Sequence, residues 1–126
     1  MKITSFNPLI VTKDAESAIK MFEELGFEKN HTITVQDKGE DITTVCMKDS
    51  GGFHVDIAQS NTVPQDLTLI RMNVDDFDEA YAFLTARGFK NPQGDHTVDT
   101  KSNRSAMLIS PSGFAFDLCQ HIKDHD

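Results

Sequence analysis

One segment of this chain occurs twice, at a spacing of about half the chain length. Residues 52–59 read GFHVDIAQ and residues 113–120 read GFAFDLCQ, so Gly, Phe, Asp and Gln recur 61 positions apart in a chain of 126 residues. Solenoid repeats have shorter periods and need several copies. Two copies of one supersecondary unit are therefore the simplest organisation, and each copy contributes one Asp at an equivalent point.

Composition and charge exclude several classes of partner. The formal net charge is −8, whereas phosphate binding needs clustered Lys and Arg. No apolar run approaches the roughly 18 residues of a membrane span, and the opening residues MKITS do not begin a signal peptide. Cys46 and Cys119 have no paired spacing, which is typical of thiols in a reducing compartment. We expect a cytoplasmic protein that binds neither nucleic acid nor membrane.

A segment with helical periodicity precedes each copy of the repeated motif. Residues 14–25 carry apolar side chains at positions 15, 18, 19, 22 and 25, and residues 76–87 form the matching segment. Asp14 is a suitable N-cap, and Gly26 and Gly88 end the two predicted helices.

The remaining apolar segments predict strands around each helix. In the first copy we expect strands at 3–11, 32–36, 42–48 and 53–59, with a turn at 37–39. In the second copy we expect them at 67–74, around 95–99, at 104–110 and at 114–121. Each copy thus reads strand, helix, strand, strand, strand. We predict a single α+β domain over 1–126, with module 1 at 1–60, a linker at 61–66, module 2 at 67–121 and a tail at 122–126.

Period-two alternation indicates which strand residues share a face. Two sets should pack under the helices, namely Phe53, Val55 and Ile57 in the first copy and Phe114, Phe116 and Leu118 in the second. The opposite face collects His54, Asp56, Arg71 and Asp117, which predicts a polar cleft. The two Asp are open to two interpretations: they contact a ligand or form an acid–base pair, or they only form a structural salt bridge with Arg71. Cys119 shares the face of Asp117.

The chain is similar to the vicinal oxygen chelate superfamily, which includes glyoxalase I, extradiol dioxygenases and bleomycin-resistance proteins. The resemblance rests on the duplication and on three segments: residues 14–27 ending in Leu-Gly-Phe, residues 73–76 (NVDD) and residues 110–114 (SPSGF). It implies two tandem βαβββ modules that form a curved mixed sheet around a ligand cleft, with the helices on the outer face. It does not imply one activity, because the fold hosts unrelated chemistries.

The resemblance also implies four metal-ligand positions, which correspond to Asn7, Leu69, Asp56 and Asp117. Leu69 has no donor atom, Asn7 offers only a weak amide oxygen, and no imidazole is included, so the set falls short of a transition-metal site. We expect no metal and no cofactor. His54 shares a strand face with Asp56 and is either a replacement ligand or, more simply, a histidine that lines the cleft.

These observations favour a metal-free small-molecule binding protein of the bleomycin-resistance type, which works as a homodimer. Two alternatives remain: a glyoxalase-like metal-dependent lyase, isomerase or dioxygenase with altered ligands, and a sensing or interaction module without catalysis.

Two Asp beside one Arg favour a cationic ligand, and the nine Phe together with Leu69 offer surfaces for an aromatic one. Catalytic residues are not assigned, and whether the chain is an enzyme stays open. The candidate ligand-binding residues are Asn7, His54, Asp56, Leu69, Arg71, Asp117 and Cys119.

Overall fold

The computed structural model describes residues 1–37, 39–100 and 103–121. The predicted tail at 122–126 and the middle residue of the predicted turn at 37–39 lie outside the described residues. Two helices are present, α1 at Ala15–Glu24 and α2 at Phe77–Thr85. The strands are β1 (Ile3–Thr12), β2 (Glu28–Asp37), β3 (Glu40–Lys48), β4 (His54–Gln59), β5 (Leu67–Val74), β6 (Val98–Asp99), β7 (Asn103–Ile109) and β8 (Ala115–His121).

The strand and helix order confirms the predicted α+β class and the repeated strand–helix–three-strand pattern. The eight strands are hydrogen-bonded in the order β2-β3-β4-β1-β5-β8-β7-β6, so the sheet is mixed: β1 and β4 run parallel, as do β5 and β8, and the other recorded pairs are antiparallel. The chain forms two compact units. We call residues 7–68 the first unit, and residues 1–6 with 69–121 the second unit.

Both helices begin and end as their sequences predict. The carboxylates of Asp14 and Asp76 accept hydrogen bonds from the backbone N–H groups of Ser17 (3.2 Å) and Glu79 (3.0 Å), which satisfies one unpaired donor at each N-terminus. At the end of α1, Gly26 has a φ of +108°, and the Phe27 N–H donates to the Phe22 carbonyl at 2.9 Å. The positive φ at this position ends the helix. Glycine adopts it readily because glycine has no Cβ atom.

Each unit has a hydrophobic core between its helix and one face of its sheet. In the first unit, Val55 and Ile57 pack with Ala15 of α1 and with Met47. The second core contains Phe77, Ala80 and Leu84 of α2 together with residues of three strands, Met72, Val74, Ala106, Leu108 and Leu118. Val55, Ile57, Phe116 and Leu118 therefore lie under the helices as predicted.

The prediction for Phe53 and Phe114 was wrong in part. Phe53 and Phe114 are 70% and 53% exposed because each lies in the turn before its strand, where strand alternation no longer directs the side chain. Phe114 still contacts the rings of Phe89 and Phe116, with centroids 5.7 and 5.8 Å away. Among the described residues, no helix is long and apolar enough to cross a membrane.

Candidate functional site

In the first unit, strand register determines which residues share the sheet face opposite α1. Asp56 of β4 lies between Leu9 of β1 and Cys46 of β3, and Ala58 lies between Val11 and Thr44. Directly opposed residues point to the same side of a sheet, whereas the residues that pack on α1 occupy the alternate positions. We call this surface the α1-free face.

Asp56 is a buried carboxylate on an otherwise mostly apolar surface. Its residue exposure is 6%, and its neighbours Leu9 and Ala58 are also buried. Farther out, register adds Ile33 and Val35 of β2 and Ile42 of β3, all half-buried, to the same face. The exposed side chains of His31, Lys48 and His54 occupy the same face toward its border.

In the second unit, the equivalent carboxylate lies beside a cation. Arg71 and Asp117 are register partners on the parallel strands β5 and β8, and Arg71 Nε lies 3.8 Å from an oxygen of Asp117. Their side chains are 11% and 20% exposed, so the pair is shielded from much of the solvent. The register also places Leu69, Cys119 and Met107 on this face, which we call the α2-free face because the α2 core lies on the other side.

Cys119 is fully buried on the α2-free face. Burial raises the pKa of its thiol well above the ordinary value, and the charge of Asp117 raises it further, while Arg71 opposes the shift. The thiol contacts the Asp117 carbonyl at 3.6 Å. A thiol with a raised pKa is a poor nucleophile at neutral pH, so these surroundings favour a lining residue over a reactive one.

The other predicted site residues have different surroundings. Leu69 is buried, with 9% exposure, while Asn7 is half-buried and donates through its side-chain amide to the Pro8 carbonyl at 3.1 Å. His54 is exposed. The structure brings Arg71, Asp117 and Cys119 together in the second unit, with Leu69 on the same strand face. In the first unit Asp56 shares its strand face with His54, and the role of all seven in ligand binding stays a prediction.

The four positions that the resemblance assigns to metal ligands lack suitable donor atoms in each unit. In the first unit Asn7 supplies only an amide, and in the second Leu69 supplies a hydrocarbon where a donor is needed. Arg71 places a positive charge beside Asp117, which disfavours binding a second cation there. Within residues 1–37, 39–100 and 103–121, no three His, Cys, Asp or Glu side chains are grouped so as to hold a metal ion.

Two residues that position the sites were missed from sequence, the repeated glutamines Gln59 and Gln120. In the first unit Gln59 accepts from the Ala15 N–H at 2.9 Å and donates to the Lys13 carbonyl at 2.6 Å. Gln120 accepts from the Phe77 N–H at 2.7 Å and donates to the Asp75 carbonyl at 3.0 Å. Each glutamine thereby connects the strand that carries the repeated Asp to the start of a helix. The sequence signal for this role was that Gln occurs at the same position in both copies.

Solved structures with this architecture come from several functional classes. Methylmalonyl-CoA epimerase from Mycobacterium tuberculosis has a TM-score of 0.72 and 13% identity, and the match covers 96% of this chain and 90% of that one. A glyoxalase I variant from Zea mays has a TM-score of 0.68 and 18% identity, covering 97% of this chain and 45% of that one. A glyoxalase/bleomycin resistance protein/dioxygenase superfamily member from Vibrio splendidus 12B01 has a TM-score of 0.61 and 17% identity, covering 94% and 99%.

Sequence comparison adds nothing to the structural likeness, since no protein-family model and no curated protein sequence matches the chain. Similarity at these identities extends to the fold and not to a particular chemistry. The two strand–helix–three-strand units, the strand order and the similarity to these three solved structures agree with one another. The chain has the vicinal oxygen chelate fold.

Proposed function

We propose that this protein binds a small organic molecule without the help of a metal ion, as a sequestering protein of the glyoxalase/bleomycin-resistance type. The ligand contacts are assigned to the α1-free and α2-free faces, which carry the repeated carboxylates. The observation that carries the proposal is the Arg71–Asp117 ion pair, in which Arg71 Nε lies 3.8 Å from the carboxylate at a position that the resemblance assigns to a metal ligand.

The physical reason concerns charge and donor chemistry. A divalent cation at Asp117 would lie close to the Arg71 guanidinium, and repulsion between like charges is strong where water is largely excluded. Leu69 offers no lone pair to compensate. An organic ligand meets neither obstacle, because it can use hydrogen bonds and apolar contacts together.

Solved structures with this fold support the proposal that the chain binds an organic ligand. Methylmalonyl-CoA epimerase from Streptomyces coelicolor, with a TM-score of 0.69 and 14% identity over 97% of this chain and 100% of that one, was solved in complex with 2-nitronate-propionyl-CoA. That ligand belongs to that protein. For this chain the likeness supports a small-molecule site without identifying its occupant.

Elemental analysis of the purified protein tests the absence of a metal directly. Protein produced in medium supplemented with zinc, nickel and iron is expected to carry far less than one transition-metal ion per chain. A stoichiometric metal would contradict the proposal and favour a glyoxalase-like lyase, isomerase or dioxygenase. A thermal-shift screen of small organic molecules tests the binding itself, because a ligand that binds only the folded state raises the Tm.

Recovery of the ligand separates sequestration from catalysis. A ligand released unchanged after prolonged incubation supports sequestration, whereas conversion to a product supports an enzyme. If the bound ligand instead alters association with another protein, a sensing module is favoured. We also infer that the protein acts as a homodimer in the cytoplasm, a setting that suits Cys46 and Cys119, which are present as thiols.

A further inference from the structure

We propose that a cavity in the first unit binds a small zwitterion, a molecule with separate ammonium and carboxylate groups. The cavity lies at the end of the β2–β3 pair where β2 begins and β3 ends, and this inference does not depend on the proposed function. Its volume is about 290 Å³, close to the lower limit for ligand pockets, which restricts the occupant to a small molecule. The lining includes Gly26, Glu28, Lys29, Lys48, Asp49 and Ser50.

The turn that forms one wall of the cavity is repeated in the second unit. In both copies the N–H of the first residue donates to the carbonyl of the fifth, at 3.0 Å in residues 49–53 and at 2.7 Å in residues 110–114. The N–H of the fourth residue donates to the carbonyl of the first, at 3.2 and 3.1 Å. Because the two turns share these hydrogen bonds, Ser50 and Pro111 occupy equivalent positions.

The space beside this position differs between the two copies. In the second unit the Cγ atom of Pro111 lies 3.0 Å from the place that a Cβ atom would take at Gly88. The corresponding residues in the first unit are Ser50 and Gly26. Among the described residues, no atom beyond the chain neighbours lies within 4 Å of the equivalent place at Gly26. Pro111 thus fills in the second unit a space that is open beside Ser50 in the first.

The walls of the cavity carry both signs of charge in equal number, with the ammonium groups of Lys29 and Lys48 and the carboxylates of Glu28 and Asp49. Glu28 and Lys48 are register partners on β2 and β3. Within the described part of the chain, Glu28, Lys29 and Lys48 form no ion pair. One oxygen of Asp49 accepts two backbone N–H groups of its own turn, at 3.0 and 2.8 Å, which fixes this carboxylate in the wall.

Equal numbers of opposite charges favour a ligand that carries both. A cation is attracted by the carboxylates and repelled by the lysines, and an anion meets the reverse. A zwitterion can place each of its groups near the opposite charge. Because Glu28, Lys29 and Lys48 are exposed, each ion pair contributes only modestly. We therefore expect a preference for the zwitterion rather than a high affinity.

Three probes with the same carbon chain test this preference: 4-aminobutanoate, butylammonium and butanoate. Each is titrated at pH 7 into the full chain labelled with nitrogen-15, and the chemical shifts of the backbone amides are followed by NMR. We expect saturable shifts at the residues that line the cavity. The affinity for 4-aminobutanoate should exceed that for either singly charged probe about two- to tenfold, the range of one or two exposed ion pairs.

Ser50→Pro tests the cavity by introducing the residue of the second unit. Ser50 is the second residue of a turn closed by the hydrogen bond from the Gly52 N–H to the Asp49 carbonyl, a position that suits proline. The turn should therefore persist while the cavity is filled, and the saturable shifts with 4-aminobutanoate should disappear. The Tm and the amide spectrum outside the turn establish that the variant is folded.

Lys48→Gln tests the charges without altering the turn. It should weaken binding of 4-aminobutanoate and of butanoate about two- to fivefold, the range of one exposed ion pair, and should not weaken binding of butylammonium. Lys20→Gln is the matched control, because it changes the net charge equally at an exposed position of α1 outside the cavity lining. This variant also decides the matter if Ser50→Pro fails to fold.

The expected pattern is a preference for the zwitterion that Lys48→Gln reduces and Lys20→Gln does not. Equal affinity for the three probes, or no saturable shift with 4-aminobutanoate, would overturn the inference. Binding that persists unchanged in folded Ser50→Pro would show that the cavity is not the site. None of these results bears on the proposed function, which the metal analysis and the thermal-shift screen test separately.

Discussion

Asp56 and Asp117 have the same place in the repeated strand, but their register partners on the neighbouring parallel strand differ. Beside Asp117 the Arg71 guanidinium lies at 3.8 Å, whereas the register partner of Asp56 is the hydrocarbon side chain of Leu9. Pairing a shielded cation with a shielded carboxylate offsets part of the cost of burying each charge, a contribution that the hydrocarbon of Leu9 does not make.

Removing the charge of Asp117 tests its structural role. We expect Asp117→Asn to lower the free energy of unfolding by about 1–3 kcal/mol, since the ion pair with Arg71 in a largely shielded position would be lost. Chemical denaturation with urea measures the change. The double variant Arg71→Leu, Asp117→Asn should recover part of the loss, and an unchanged stability in Asp117→Asn would contradict the assignment.

The raised pKa of Cys119 predicts that its thiol is alkylated slowly and that the stability of the protein depends on pH. Above the ordinary thiol pKa the unfolded chain loses the proton that the folded chain keeps, so the free energy of unfolding should fall as the pH rises. Cys119→Ala should show a weaker fall over the same alkaline range. At pH 8, alkylation by iodoacetamide followed by mass spectrometry should modify Cys119 much more slowly in the native than in the denatured protein.

At the scale of elements, the repeated glutamines join strand to helix. Gln59 and Gln120 each bond to one N–H in the first turn and to one carbonyl just before the N-cap, so they supplement the Asp14 and Asp76 caps. These contacts connect positions more than 40 residues apart in sequence. The repeated Gln therefore orients the helix relative to the strand that carries the repeated Asp.

Replacing either glutamine should destabilise its unit. Gln120→Ala removes two hydrogen bonds, and Gln59→Ala removes the equivalent two and a third to the Asn61 side chain. We expect a loss of about 1–3 kcal/mol in each case. Thermal or urea unfolding measures this loss, and Gln65→Ala, at an exposed position outside the strands, serves as the control. A loss no greater than that of the control would show that these hydrogen bonds contribute little.

At the scale of the whole molecule, the open strand edge suggests association. β2 spans ten residues at one end of the strand order, and an edge strand of this length exposes hydrogen-bonding groups that a partner can pair with or cover. We expect a dimer, with twice the mass of the chain in light scattering. A monomer that persists at high protein concentration would contradict this prediction.

Local sequence was enough to predict the helices, most of the strands and the duplicated α+β pattern, because caps, glycine stops and apolar periodicity act over a few residues. It also identified Asp56 and Asp117 as equivalent, since identity in a repeat is visible without coordinates. Only the tertiary structure showed that Leu9 pairs with the first and Arg71 with the second, because strand register is set by contacts between distant segments. For the same reason the roles of Gln59 and Gln120 and the exposure of Phe53 depended on the folded chain.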